Sequence, residues 1–173
     1  MTTEIQKTDE RGGWTSASNA QADRLCAGRH QAQKGLPDRT SDDAKFGQEI
    51  HAAMASSPEN LKPDQLAIYE QCLELTDKLM EKFFGKEKAT VVKEVRYWCK
   101  VNKTPGNDEV RLSHSGQVDF AARFGNRVLI IEYKMLPGEV PAASSNEQLR
   151  DQAVLIAGNY GIRSECSIGT AVV

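Results

Sequence analysis

The feature that most constrains this chain is a change in hydrophobic period at Gly85. Before it, from Pro63-Asp64 onward, Leu66, Tyr69, Leu73, Met80 and Phe83 recur at helical spacing, with a proline placed where a first helical turn accepts one. After it, Thr90-Val-Val-Lys-Glu-Val-Arg-Tyr-Trp-Cys-Lys-Val101 is rich in β-branched and aromatic residues and reads as a strand. A chain that turns from helices to strands in this way needs a layered α/β fold, because neither half can cover its apolar face alone.

Upstream, residues 1–13 carry no apolar period and read as a frayed terminus. Residues 16–26 can form a short helix, with a break at Gly28 and a turn at 35–38. A further helix is expected to start at 41–43, where Ser and Asp side chains can accept from free amides, and Phe46, Ile50 and Met54 line its apolar side. Downstream, Pro105-Gly106-Asn107 marks a turn within 102–108, and two strands at 117–124 and 127–135 join at Gly125-Asn126 as a hairpin. A loop at 137–145, a helix at 146–159 and a last strand at 166–173 complete an α-β-β-β-α-β order. The length of 173 residues fits one domain, read here as 14–173, with its last strand meeting the chain end so that truncation there is open.

With 39% hydrophobic and 27% charged residues, the chain is apolar enough to fold. No window reaches a membrane span and the first residues lack the apolar core of a secretory signal, so the expected compartment is the cytoplasm, with no membrane partner. Cys26, Cys72, Cys99 and Cys166 are widely spaced with no CxxC pair, and separate reduced thiols are expected. The net charge of −2 is not that of a protein held to nucleic acid by overall attraction, although an acidic site and local basic patches are compatible with it.

Chemistry concentrates in the hairpin. Asp119 lies on its first strand, and Glu132 and Lys134 lie two apart on the second, so those two side chains leave the same face and all three are expected to meet at one point. They follow the apolar run Val128-Leu-Ile-Ile131, which belongs in a covered sheet where charges need partners or a metal. Two carboxylates and a backbone carbonyl, that of Tyr133, are hard oxygen ligands suited to Mg²⁺ or Mn²⁺. A lysine beside the metal-bound water would orient it and stabilise a phosphoryl transition state. Taken alone, Asp-x(12)-Glu-x-Lys is more often a plain salt bridge at a sheet end.

The wider pattern resembles the PD-(D/E)XK nuclease superfamily. Gly116-Gln-Val-Asp119 followed by Ile130-Ile-Glu-Tyr-Lys134 is similar to its core motif, and three further segments resemble the RecB-like branch with its phage exonucleases. These are Trp14-Thr-Ser-Ala-Ser-Asn with Arg24-Leu-Cys26 and Gly35-Leu-Pro-Asp38, then Phe46-Gly47-Gln-Glu-Ile-His51, then Asn146-Glu-Gln148-Leu149 running to Tyr160-Gly161.

The resemblance covers most of residues 14–161 and implies a restriction-endonuclease-like core, a mixed sheet of about four strands flanked by helices. It implies catalysis by Asp119, Glu132 and Lys134, and a metal held by His51, Asp119, Glu132 and the Tyr133 carbonyl. Gln148 and Glu94 are accessory candidates. On its own residue type, His51 reads as an ordinary helix residue; Gly47, one turn earlier, would allow a neighbouring segment to approach. The family pattern has Tyr where this chain has Gln152. His30 and His114 are expected in turns or at the surface, and Arg96, Lys100, Arg111 and Arg150 are candidate phosphate contacts.

The implied activity is Mg²⁺- or Mn²⁺-dependent hydrolysis of DNA phosphodiesters, exonucleolytic, in phage recombination or repair. A homo-oligomer or a recombination partner protein is compatible with it. An iron–sulfur cluster is not expected, because the carboxyl-terminal cysteine group of some relatives is reduced here to Cys166. Two rivals stand: a catalytically silent nucleic-acid-binding module of the same fold, and a protein-interaction domain using the helix from Pro63.

Overall fold

The computed structural model describes residues 15–26, 28–33, 36, 41–101, 111–135, 140–162 and 166–173. The expected terminus at 1–13, the turn at 102–108, all of the turn at 35–38 except Leu36, and the side chains of His30, Lys100 and Arg111 lie outside them.

Among the described residues five strands form one mixed sheet: β1 (Thr15–Ser16), β2 (Thr90–Val101), β3 (Arg111–Phe124), β4 (Arg127–Glu132) and β5 (Ser167–Val172). β2, β3 and β4 form an antiparallel meander, and β5 pairs parallel to β4. The last connection crosses over through α5 (Glu147–Asn159), as a parallel pair requires. The two-residue β1, which no sequence pattern announced, adds parallel to β3 at His114 and Ser115. Among the described residues five α-helices accompany the sheet: α1 (Ala20–Leu25), α2 (Arg29–Gln33), α3 (Asp42–Ala55), α4 (Pro63–Phe84) and α5. None of the described helices is long and apolar enough to cross a membrane.

Local chemistry sets the ends of these elements. Ser41 caps α3 by accepting from the Ala44 amide, and Asn146 caps α5 by accepting from Leu149. α4 opens on Pro63 and ends at Gly85, whose φ of 64° a side chain would resist. The line of α4 that is fully buried is Gln65, Cys72, Thr76 and Phe84, while Tyr69, Leu73, Met80 and Phe83 pack at its margin.

The sheet separates two apolar layers. On one side Ile50 and Met54 of α3 and Cys72 and Phe84 of α4 pack with Phe120, Ala122, Leu129, Ile131 and Tyr133. On the other, Leu149, Leu155 and Ile156 of α5 pack with Tyr97, Val118, Ala121, Val128 and Ile130. β4 alternates cleanly between the layers, as the period of two demands. β2 and β3 do not: Val92 and Val95, three apart, both pack with the α5 side, and so do Val118 and Ala121. The pleat therefore slips by one residue on both strands at once, around Lys93–Glu94 and Asp119–Phe120. Cα pairing continues on either side, Lys93 with Phe120 and Val95 with Val118. Glu94 sits at the slip with φ of 51°, a left-handed conformation among the described non-glycine residues that only it adopts.

Candidate metal centre and its neighbours

The slip builds the site. It turns Glu94 and Asp119, opposite each other on β2 and β3, toward His51 on α3. His51 Nδ1 lies 3.4 Å from Glu94 Oε1 and 3.6 Å from Asp119 Oδ1. Among the described residues these three offer ligand atoms that all lie within 4.8 Å of one another. Asp119 is further fixed by its other oxygen, Oδ2, which accepts from the Tyr133 amide at 2.8 Å. The β3–β4 ladder ends at Phe120–Ile131, so the carboxylate stands where the next backbone acceptor would be. Glu94 Oε2 accepts from Gln117 Nε2 at 2.6 Å, while its Oε1 is buried with no hydrogen-bond partner.

Charge in this cluster is not balanced. Burial and the nearby charge of Glu132 push the Asp119 carboxyl up from 3.8 to about 7, against the pull of His51 and of the Tyr133 amide. Burial lowers the His51 imidazole, but Glu94, Asp119 and Glu132 outweigh it and leave its pKa above the ordinary 6.5. A group of acids that cannot all ionise comfortably around one imidazole is a fit for a divalent cation. The donor set of one nitrogen and carboxylate oxygens suits Mn²⁺ or Mg²⁺.

Glu132 and Lys134 leave the opposite face, toward α5, as their spacing from the buried run requires. Glu132 is almost wholly enclosed, with 4% of its side chain exposed, and Lys134 Nζ donates to its Oε1 at 2.6 Å. Gln148 Nε2 donates to the same oxygen at 2.6 Å, and Gln148 Oε1 accepts from Lys134 at 3.2 Å. Gln152, one turn along α5, donates to Glu132 Oε2 at 3.1 Å. The amide of Lys134 donates to the Val173 carbonyl, and the Val173 amide donates to the Glu132 carbonyl, so β5 holds this end of β4.

Of the residues singled out in the sequence, His51, Asp119 and Glu94 are brought together in one cluster. Glu132, Lys134 and Gln148 form a second cluster through the sheet end. Glu94, read only as an accessory, stands in the first group, while both oxygens of Glu132 are engaged with Lys134, Gln148 and Gln152. Gln117 and the role of Gln152 were missed. The signals available were a Gln two residues before Asp119 and a second Gln four after Gln148.

Met135 Cβ lies 3.6 Å from where a Gly47 side chain would begin, an ordinary contact, so the approach at Gly47 does not depend on glycine. Arg96 donates to Ser115 Oγ and Gln117 Oε1 within the sheet, and Arg150 is exposed beside Glu147 and the Ser144 carbonyl.

His114 corrects its sequence reading. It stands within β3, half-buried, with Nδ1 2.8 Å from Thr15 Oγ1 and Nε2 3.0 Å from Asp151 Oδ2, because the two-residue β1 docks beside it and α5 covers it. The four cysteines are free, with Cys72 buried and the others exposed.

No protein family, curated protein or solved structure matches this chain.

Proposed function

We propose that the protein is a divalent-metal-dependent nuclease that hydrolyses DNA phosphodiester bonds, acting as an exonuclease in phage recombination or repair. The observation that carries the reading is the His51–Glu94–Asp119 cluster, with Glu132 across the sheet near enough for its charge to act on both His51 and Asp119. The resemblance of Asp119 and Glu132-Tyr-Lys134 to the PD-(D/E)XK motif supports it, and a restriction-endonuclease-like core is the finer fold that goes with it.

His51, Glu94 and Asp119 would hold the cation; Glu132, which the resemblance implies as a further ligand together with the Tyr133 carbonyl, is not one of these three and has both oxygens engaged on the α5 side. When bound, a divalent ion lowers the pKa of a coordinated water and neutralises charge on the phosphate. The remaining work belongs to the chain. Glu132 and Gln148 hold the Lys134 ammonium on the α5 side of the sheet, where one-third of its side chain is exposed. From there it can orient a water and donate to a phosphoryl oxygen as negative charge grows. The Tyr133 amide fixes Asp119.

The test is incubation of the protein with end-labelled single- and double-stranded DNA in Mn²⁺, Mg²⁺ or chelator. Metal-dependent shortening that Lys134→Ala reduces at least a hundredfold is expected, on the scale of losing one transition-state donor. DNA binding without cleavage, or capture of a protein partner without DNA binding, would favour the silent or protein-interaction alternatives that the net charge of −2 allows.

A further inference from the structure

We infer that Gln152 is a positioning residue that, through Glu132, sets where the Lys134 ammonium stands. The inference rests on the nuclease reading for its catalytic consequence and on geometry for the contact itself.

Gln152 has no exposed surface. Its Nε2 donates to Glu132 Oε2 at 3.1 Å and to the Gln117 carbonyl at 2.8 Å, while its Oε1 is buried with no hydrogen-bond partner. A buried unsatisfied amide oxygen costs on the order of 1–3 kcal/mol, and a leucine or methionine would fill the same space without that cost. The amide is therefore poorly explained as packing and well explained by what its nitrogen does.

Both of its acceptors are places the fold leaves open. The edge of β3 that faces β4 is paired at His114–Ser115 by β1 and at 120–124 by β4, and Gln117 lies in the gap between them. Gln152 supplies a donor there. Glu132 Oε1 already receives Lys134 and Gln148, so Gln152 is the described donor to the other oxygen. With donors on both oxygens the carboxylate plane is fixed. Without Gln152, Glu132 would keep its bonds at one oxygen only and could rotate about its terminal torsion, which is broad for a glutamate. Lys134, bonded to that carboxylate at 2.6 Å, would move with it. Gln117 carries the connection onward, since its own Nε2 donates to Glu94 at 2.6 Å.

Two arms test this. In the first, ¹⁵N NMR of the wild type and of Glu132→Gln reads the side-chain amide of Gln152. A shifted resonance and faster hydrogen exchange in Glu132→Gln are expected, and an unchanged resonance overturns the inference whether or not the protein is a nuclease.

In the second, Gln152→Met and Gln152→Asn are compared with the wild type on end-labelled DNA with Mn²⁺. Methionine keeps the length without a donor; asparagine keeps the amide but leaves it a methylene short, and its smaller volume protects the fold if methionine does not fit. The expected result is kcat lowered about 10- to 100-fold, the scale of second-layer partners of a metal site, with KM for DNA and Mn²⁺ affinity within a few-fold of wild type. Wild-type kcat in a folded variant overturns the inference, and so does a parallel loss of Mn²⁺ affinity, which would mean general disruption of the site. A wild type that binds Mn²⁺ but cuts no DNA sinks the nuclease reading instead, and leaves the contact to the first arm.

Discussion

Replacing Asp119 by Asn should make the metal-free protein more stable at alkaline pH, although it removes a group central to the site. Asp119 has only 10% of its side chain exposed and its carboxyl is pushed up from 3.8 to about 7, first by burial and then by Glu132. A carboxyl whose folded pKa lies above its unfolded value holds its proton in the native state, so stability falls as pH rises between the two values and the cost is complete above about 7. At roughly 1.4 kcal/mol for each pH unit, that interval corresponds to on the order of 4 kcal/mol. His51 acts in the same direction. Its raised pKa contributes stability that is present below 6.5 and is lost as pH rises through the folded value, and Asp119 is one of the charges that raise it. Because the two titrate together, the net gain of Asp119→Asn at pH 8 should be smaller than the single-group figure, on the order of 2–4 kcal/mol. The assay is urea denaturation in chelator from pH 5 to 8.5. The wild type should lose stability over this range and Asp119→Asn should lose clearly less, its remaining slope coming from His51, which Glu94 and Glu132 still act on, and added Mn²⁺ should raise the wild type at pH 8 far more than the variant. Parallel pH profiles for the two proteins would refute the electrostatic reasoning.

Glu94→Gly and Glu94→Ala should both weaken Mn²⁺ binding, but the glycine variant should be the more stable by about 1 kcal/mol in urea, because φ of 51° is free to glycine alone. Equal stability would mean that the backbone at Glu94 relaxes. Gly116→Ala should lower stability by about 1–3 kcal/mol, read by thermal melting. The added methyl would stand 2.8 Å from Leu155 Cδ1 and 3.0 Å from Ala17 Cβ, wedged between α5 and the turn at Ala17–Asn19.

Much of the architecture was legible from local chemistry. The β-branched run at Thr90–Val101, the cap at Ser41, Pro63 and Gly85 around α4, and the buried run of β4 each fix their element with near neighbours alone. Three things were not legible for one shared reason: they depend on partners distant in sequence. β1 is two residues long and exists because β3 offers an open edge at His114 and Ser115. The pleat slip at Glu94 and Asp119 needs both strands to bend together, and neither strand carries a glycine or proline at the slip to announce it. Gln152 reads as a polar helix residue until α5 is docked on the sheet, when it becomes fully buried against Glu132. The site was legible in part. His51, Asp119, Glu132 and Lys134 stand out as chemistry-bearing residues, but their division into a His–Glu–Asp cluster on the α3 side and a lysine pair on the α5 side follows from the slip of β2 and β3 set against the regular alternation of β4.

The most direct measurement is anomalous diffraction from crystals of the protein soaked in Mn²⁺. A manganese peak bonded to His51 Nδ1, Glu94 and Asp119, with Lys134 still paired to Glu132 beside it, is the expected result. A peak that leaves those three side chains untouched, or saturating Mn²⁺ with none bound there, would contradict the account.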